Sequence, residues 1–152
     1  MKISIASDHR GFQLKERVKS LLASLKIEVM DVGTYTADSC DYPDFAVLAI
    51  EKFLNRSVDS VILICGTGIG MSIVANKFKG VRAALCLNSQ MAKMAREHNN
   101  ANVLVLSANF TPEEEIEGIL HNWLNCKFEG GRHERRVGKI TEVERRNFIS
   151  ED

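Results

Sequence analysis

Short apolar runs alternate with amphipathic segments along nearly the whole chain, and this alternation limits the available folds more than any other feature. Residues Lys2–Ser7, Glu28–Val32, Val61–Cys65, Arg82–Leu87 and Val103–Leu106 read as five strands. The run VILIC, Val61 to Cys65, is apolar at every position, as expected of a strand covered on both faces. After Gly11, residues Leu14, Val18, Leu21, Leu22 and Leu25 recur with helical period; from Pro43, Ala46, Ala49, Ile50, Phe53 and Leu54 do the same. A short helix is predicted to end near Lys77, and a fourth spans Ser89–His98. The fifth carries its own start signal, with Thr111 as N-cap, Pro112 in the first turn and Glu114 completing a capping box. Ile116, Ile119, Leu120, Trp123 and Leu124 then form its buried stripe. Strands and helices joined by short links imply a parallel sheet with right-handed crossovers. The predicted class is α/β: a Rossmann-like three-layer α/β/α sandwich with a five-stranded parallel sheet and an extra C-terminal helix.

A chain of 152 residues fits one domain, residues 1–152. Its last part differs in character. Gly130-Gly131 breaks the pattern, and RHERRVGKITEVERR resumes as a charged helix. Between Lys127 and Asn147 there are seven Lys/Arg against four Glu. Val137, Ile140 and Val143, with Phe148, offer a thin apolar edge. Segment 130–152 therefore reads as a helix and tail that either crosses to a second subunit or docks loosely on its own surface.

Twenty basic residues balance twenty acidic ones, so no net field recommends nucleic acid or an anionic membrane as partner. The apolar run in MKISIASDHRG is too short for a signal sequence, and nothing approaches a membrane span; a cytoplasmic protein is expected. Cys40, Cys65, Cys86 and Cys126 include no C-x-x-C pair, which argues for reduced thiols and against a metal site.

Open parallel sheets collect ligands outside the carboxyl ends of their strands. Ser7-Asp8-His9-Arg10-Gly11 and Cys65-Gly66-Thr67-Gly68-Ile69-Gly70 follow two such strands, Asn88-Ser89 follows a third, and His98-Asn99-Asn100 is expected at the same rim. The glycine turn fits neither a dinucleotide fingerprint nor a P-loop, since Met71 stands where a glycine is needed and no Gly-Lys-Ser/Thr closes it. It is either a structural tight turn or a cradle for a small anion at a helix N-terminus. Cys65 is either a packed thiol or a base whose pKa the helix start lowers. Arg132 and Arg136, four apart on one helix face, either grip a phosphate or stay solvated. His121 and His133 read as surface residues.

Five segments in order, SDHRGFQLK, DYPDFA, CGTGIGMSIVANK, REHNNANVLVL and FEGGRHERRV, resemble the ribose-5-phosphate isomerase B family over roughly residues 1 to 147. Isomerases of galactose 6-phosphate and allose 6-phosphate belong to the same superfamily. The resemblance implies interconversion of D-ribose 5-phosphate and D-ribulose 5-phosphate in the pentose phosphate pathway, through a cis-enediolate, without metal or organic cofactor. By the resemblance, Cys65 is the base that moves a proton between C2 and C1, in place of the carboxylate of another branch. Gly66, Thr67, Gly68, Ile69 and Gly70 supply backbone donors to the enediolate oxygens, Thr67 adds a hydroxyl, and His98 opens the furanose ring. Asp8, His9 and Asn99 contact the sugar phosphate, and Arg132 and Arg136 hold its phosphate. Family members form dimers, sometimes tetramers, with shared active sites. One departure is Asn109, aligned with an arginine that helps hold the phosphate in several members. The competing readings are a hexose-6-phosphate isomerase and a non-catalytic flavodoxin-like binding module.

Overall fold

The computed structural model describes residues 1–148. Five strands, β1 (Lys2–Ser7), β2 (Glu28–Asp31), β3 (Ser60–Cys65), β4 (Ala83–Leu85) and β5 (Val103–Ser107), form one sheet in the order β2-β1-β3-β5-β4. Every pairing is parallel, with Ile5 opposite Ile62 and Leu63 opposite Val105. Six α-helices accompany them: α1 (Phe12–Ser24), α2 (Tyr42–Leu54), α3 (Ile69–Ala75), α4 (Ser89–Asn99), α5 (Ile116–Asn125) and α6 (Arg132–Asn147).

The period-two alternation of the central strands divides the core in two. Ile3, Ile5, Ile62, Ile64, Leu104 and Leu106 face Val18 and Leu22 of α1, Ala92 of α4 and Ile116, Ile119 and Trp123 of α5. Val61, Leu63, Cys65, Val103 and Val105 face the other way, onto Ala46, Ala49 and Ile50 of α2 and Met71 and Ala75 of α3. This is the expected three-layer sandwich. Each fully buried Ile or Leu here contributes about 1.5–3 kcal/mol through removal of apolar surface from water. Gly11 lets α1 start against the sheet, because a Cβ there would stand 2.7 Å from the Ile64 carbonyl oxygen.

Strand positions agree with the sequence reading to within a residue or two, except that β4 is only Ala83–Leu85. Arg82 donates its amide to the Asn102 side chain at 2.8 Å, outside the ladder. The predicted capping box does not form. Pro112 is extended (ψ 140°), a 3-10 turn occupies Glu113–Glu115, and α5 begins at Ile116. The Thr111 hydroxyl oxygen instead accepts from the Ser107 amide at 3.0 Å, and Glu115 accepts from the Ser89 amide at 2.7 Å. Leu25 and Leu54, both expected in buried stripes, stand exposed at their helix ends.

Helix α6 keeps a thin hold on the domain. Its one buried residue is His133, while Ile140 and Val143 are about half exposed (49% and 52%). Residues 149–152 of the predicted tail lie outside the described residues. Among the described residues no helix is long and apolar enough to cross a membrane.

Candidate active site

The chain leaves β1 for β2 on one side and returns to β3 on the other, so the loops after β1 and β3 open a crevice between them at the carboxyl edge. The Asp8 amide donates to the Ile64 carbonyl at 3.2 Å, tying the two loops together. Asp8 is buried, and its Oδ1 accepts the Gly11 amide at 2.9 Å. His9 Nδ1 accepts the Cys40 amide at 3.3 Å, so a neutral His9 carries its proton on Nε2, free to donate to a ligand. The Cys40 sulfur lies 3.9 Å from the same ring nitrogen.

Cys65 closes β3 with its thiol on the α2–α3 side, 4% exposed. Its Sγ accepts the Gly68 amide at 3.2 Å. Gly68 can turn the chain there because it adopts φ +77°, and a Cβ would meet Leu85 Cδ1 at 2.5 Å and the Leu106 oxygen at 3.2 Å. Not every amide of the turn is available to a ligand, as the sequence reading had it. Gly68 donates to the sulfur and Ile69 donates to Thr67 Oγ1 at 3.2 Å. The amides of Gly66 and Thr67 have no hydrogen-bond partner among the described residues. The Gly66 oxygen is held by the Ser107 hydroxyl at 2.8 Å and the Asn109 amide at 2.9 Å, which fixes the turn to the end of β5. Cys86 is no rival to Cys65: burial pushes its thiol up to about 12, and it stays protonated.

Two glycines of the turn identify neighbours that sequence reasoning missed. The Tyr42 ring packs on Gly70, where a Cβ would sit 2.5 Å from Tyr42 Cζ, and Arg10 lies over Gly66, its Cδ 2.9 Å from the corresponding point. Asn109 Nδ2 is 3.4 Å from that same point, so Arg10 and Asn109 flank Gly66 together. Arg10 forms no ion pair among the described residues. Both had a signal in the sequence, in the segments DYPDFA and SDHRG, but neither marked what lay on the glycines.

The remaining candidates are elsewhere. Helix α4 starts after the carboxyl end of β4 and runs back antiparallel to it, so His98 and Asn99 lie at the amino edge of the sheet. Arg82, just before β4, donates Nε to the Asn99 and Asn100 carbonyls at 3.2 and 3.0 Å, and Ser60, at the start of β3, donates to the Asn102 carbonyl. The expectation that His98 and Asn99 share a rim with Asp8 and His9 within one chain is therefore wrong. Arg132 and Arg136 are exposed on α6 beside this second group. His133, expected on the surface, is 8% exposed and stacks on His98, with ring centroids 4.2 Å apart and planes 9° apart. Burial, then the neighbouring His98 and Arg132, hold its pKa below the usual imidazole value.

A cleft of about 870 Å³ is lined in part by Leu21, Leu25, Leu120 and Leu124. It lies between α1 and α5, away from Cys65, with Ser24, Glu117, His121 and Asn125 as its polar lining.

The family described as Ribose/Galactose Isomerase matches residues 3–140. The chain is 41% identical over 145 residues to ribose-5-phosphate isomerase B of Escherichia coli, covering 95% of this chain and 97% of that protein. It resembles the crystal structure of a ribose 5-phosphate isomerase from Thermotoga maritima, with a TM-score of 0.90 and 53% identity, covering 93% of this chain and 98% of that one. Ribose-5-phosphate isomerase B from Mycoplasma genitalium, solved with bound ribulose-5-phosphate, matches with a TM-score of 0.88 and 45% identity, covering 95% and 96%.

Proposed function

The chain belongs to the ribose/galactose isomerase family, and we propose that it interconverts D-ribose 5-phosphate and D-ribulose 5-phosphate as an aldose–ketose isomerase. The observation that carries the mechanism is the Cys65 sulfur at the mouth of a glycine turn, accepting the Gly68 amide at 3.2 Å. Cys65 as thiolate takes the proton from C2 of the open-chain aldose. The electron pair left behind forms the C1–C2 double bond of an enediolate, and the negative charge moves to O1. The unpartnered amides of Gly66 and Thr67 are suited to that oxyanion, where fixed donors cost no reorganisation as charge develops. Cys65 returns the proton to C1, and the Thr67 hydroxyl relays the proton between the two oxygens. No electron leaves the substrate, so the reaction needs no redox cofactor.

Asp8 and His9 hold the sugar hydroxyls and phosphate from the same chain, and Arg10, beside Asn109, adds a positive charge near the turn. His98, Asn99, Arg132 and Arg136 complete the site from a second copy of the chain. The distance argues for this: roughly 17 Å of β3 separates the two edges. The weak attachment of α6 and its exposed Ile140 and Val143 support a helix that packs on a partner. The whole chain, tail included, acts as one domain in this reading. Four free cysteines support a reducing, cytoplasmic setting.

The test is to incubate the purified chain separately with ribose 5-phosphate, allose 6-phosphate and galactose 6-phosphate and measure ketose formation. Ribose 5-phosphate should have the highest kcat/KM. Faster turnover of a hexose phosphate would shift the assignment within the family, and no turnover of any would end it.

A further inference from the structure

Gly130 and Gly131, at φ +70° and +56°, fold the chain back so that residues on both sides of the turn meet the end of α4. The Glu129 amide donates to the Glu97 carbonyl at 3.0 Å and the His133 amide to the Gly130 carbonyl at 3.1 Å, fixing both backbones there. The side chains of His98, Glu129 and His133 converge as a result. One ring nitrogen from each histidine and one Glu129 oxygen all lie within 4.8 Å of one another. His133 Nε2 is 3.5 Å from Glu129 Oε2, and the ring nitrogens of His98 and His133 have no other partner among the described residues.

Two imidazoles and a carboxylate are donors that a borderline cation favours, and three protein ligands leave a fourth position for water. Ligation needs unprotonated rings. Glu129 supplies one negative charge beside the rings. Zinc–nitrogen bonds of about 2.0–2.1 Å place tetrahedral donors roughly 3.3 Å apart, so the donors must draw in by up to about 1.5 Å. The rings are nearly parallel, and one must turn about its Cβ–Cγ bond to aim at a shared ion. His98, less buried than His133, is the one with room to do so.

We infer that His98, Glu129 and His133 form a binding site for a divalent cation of the Zn²⁺ class, and that a metal held there inhibits the enzyme by engaging His98. The binding site stands on the geometry alone; the inhibition rests on the isomerase reading, in which His98 acts on the sugar. The metal is thus an inhibitor of the reaction and takes no part in it.

Co²⁺ titration of the metal-free, full-length protein, followed by absorption, tests the site, with Zn²⁺ measured by calorimetry. One ion should bind per chain, with visible bands of nitrogen and oxygen ligation and no thiolate charge-transfer band. Glu129→Gln and His133→Ala should each weaken binding by about tenfold or more, and Mg²⁺ should not compete. Zn²⁺ should inhibit ketose formation by the wild type, reversibly on chelation. Glu129→Gln should keep its metal-free rate and escape inhibition at the same Zn²⁺ concentration. Absence of stoichiometric binding, a thiolate band, or affinity unchanged in both variants would overturn the site. Full turnover at saturating Zn²⁺ would overturn the inhibition. Zinc bound as expected to a chain that isomerises no sugar phosphate would uphold the site and remove the isomerase reading.

Discussion

Cys65 and His98 stand at opposite edges of one sheet, the first closing β3 at the carboxyl edge and the second near the end of α4 at the amino edge. No side-chain motion within the chain can bring them to one substrate. If both act on the same sugar, two crippled chains must rescue each other. Cys65→Ala alone should lose about 10²–10⁴-fold in kcat, the usual contribution of a base. Mixed with His98→Asn under conditions of subunit exchange, it should form hybrid dimers with one intact site each. At random pairing about a quarter of wild-type forward activity should return, as two-fold symmetry requires. Absence of rescue, with exchange verified by mass spectrometry, would mean that each site is built from one chain.

Arg10 and Asn109 flank Gly66, and Arg10 is the charged one. Asn109 brings no charge to Gly66, so Arg10 is the guanidinium available there. Arg10→Ala should raise KM by about tenfold or more, the worth of one hydrogen bond to a charged group, with a smaller fall in kcat. The double variant Arg10→Ala/Asn109→Arg should recover part of the loss. Inorganic phosphate, tested as an inhibitor, should weaken in parallel with KM. An unchanged KM and phosphate inhibition constant would place the Arg10 charge outside the site.

Lys15 is fully buried, with its Nζ 2.6 Å from Asp31 Oδ1, and Asp31 also accepts Lys19 at 2.7 Å and the Gly33 amide at 2.9 Å. Burial pushes the Asp31 carboxyl up, but the hydrogen bonds from Lys15, Lys19 and Gly33 outweigh it and leave the pKa below its usual 3.8. Its contribution to stability is therefore present above the unfolded pKa and is lost as pH falls through the lower folded value. Asp31→Asn should cost about 3 kcal/mol at pH 7, because it leaves the buried Lys15 ammonium with only the half-exposed Glu16 at 3.6 Å, and should flatten the loss of stability below about pH 4. Lys15→Met should cost less, since Asp31 keeps Lys19. Urea titrations across pH measure both, and an acid limb unchanged in Asp31→Asn would refute the assignment.

The strands and the loops after β1 and β3 were legible because apolar runs and glycine positions are local features. Helix α5 was misjudged because Thr111 and Glu114 matched a capping pattern while Pro112 stayed extended and Thr111 served Ser107. His98 was put at the wrong edge because it precedes a strand; a residue at a helix end before a strand lies at the amino edge, whatever its chemistry. His133 sits in a run of charges that reads as solvated, and only the Gly130-Gly131 fold-back reveals its stack with His98. Arg10 and Tyr42 were missed because a sequence shows a glycine but not the side chain resting on it.

The family resemblance implies that His98 opens the furanose ring, and that role can be separated from proton transfer at carbon. Ribose 5-phosphate is mostly a closed furanose, whereas ribulose 5-phosphate cannot close that ring because its C5 oxygen is esterified. A His98→Asn enzyme should therefore consume only the scarce open-chain aldose. As enzyme concentration rises, its forward rate should stop increasing and settle at the spontaneous rate of ring opening, after a small burst matching the open-chain fraction. The reverse reaction should continue to scale with enzyme, since its substrate is already open. The ratio of forward to reverse kcat/KM is fixed by the overall equilibrium when opening is fast, so the plateau is the decisive observable. His133→Asn should show a weaker version of the same plateau if the stack at 4.2 Å positions the His98 ring. Equally slow turnover in both directions by His98→Asn, with no plateau, would move His98 to the carbon chemistry.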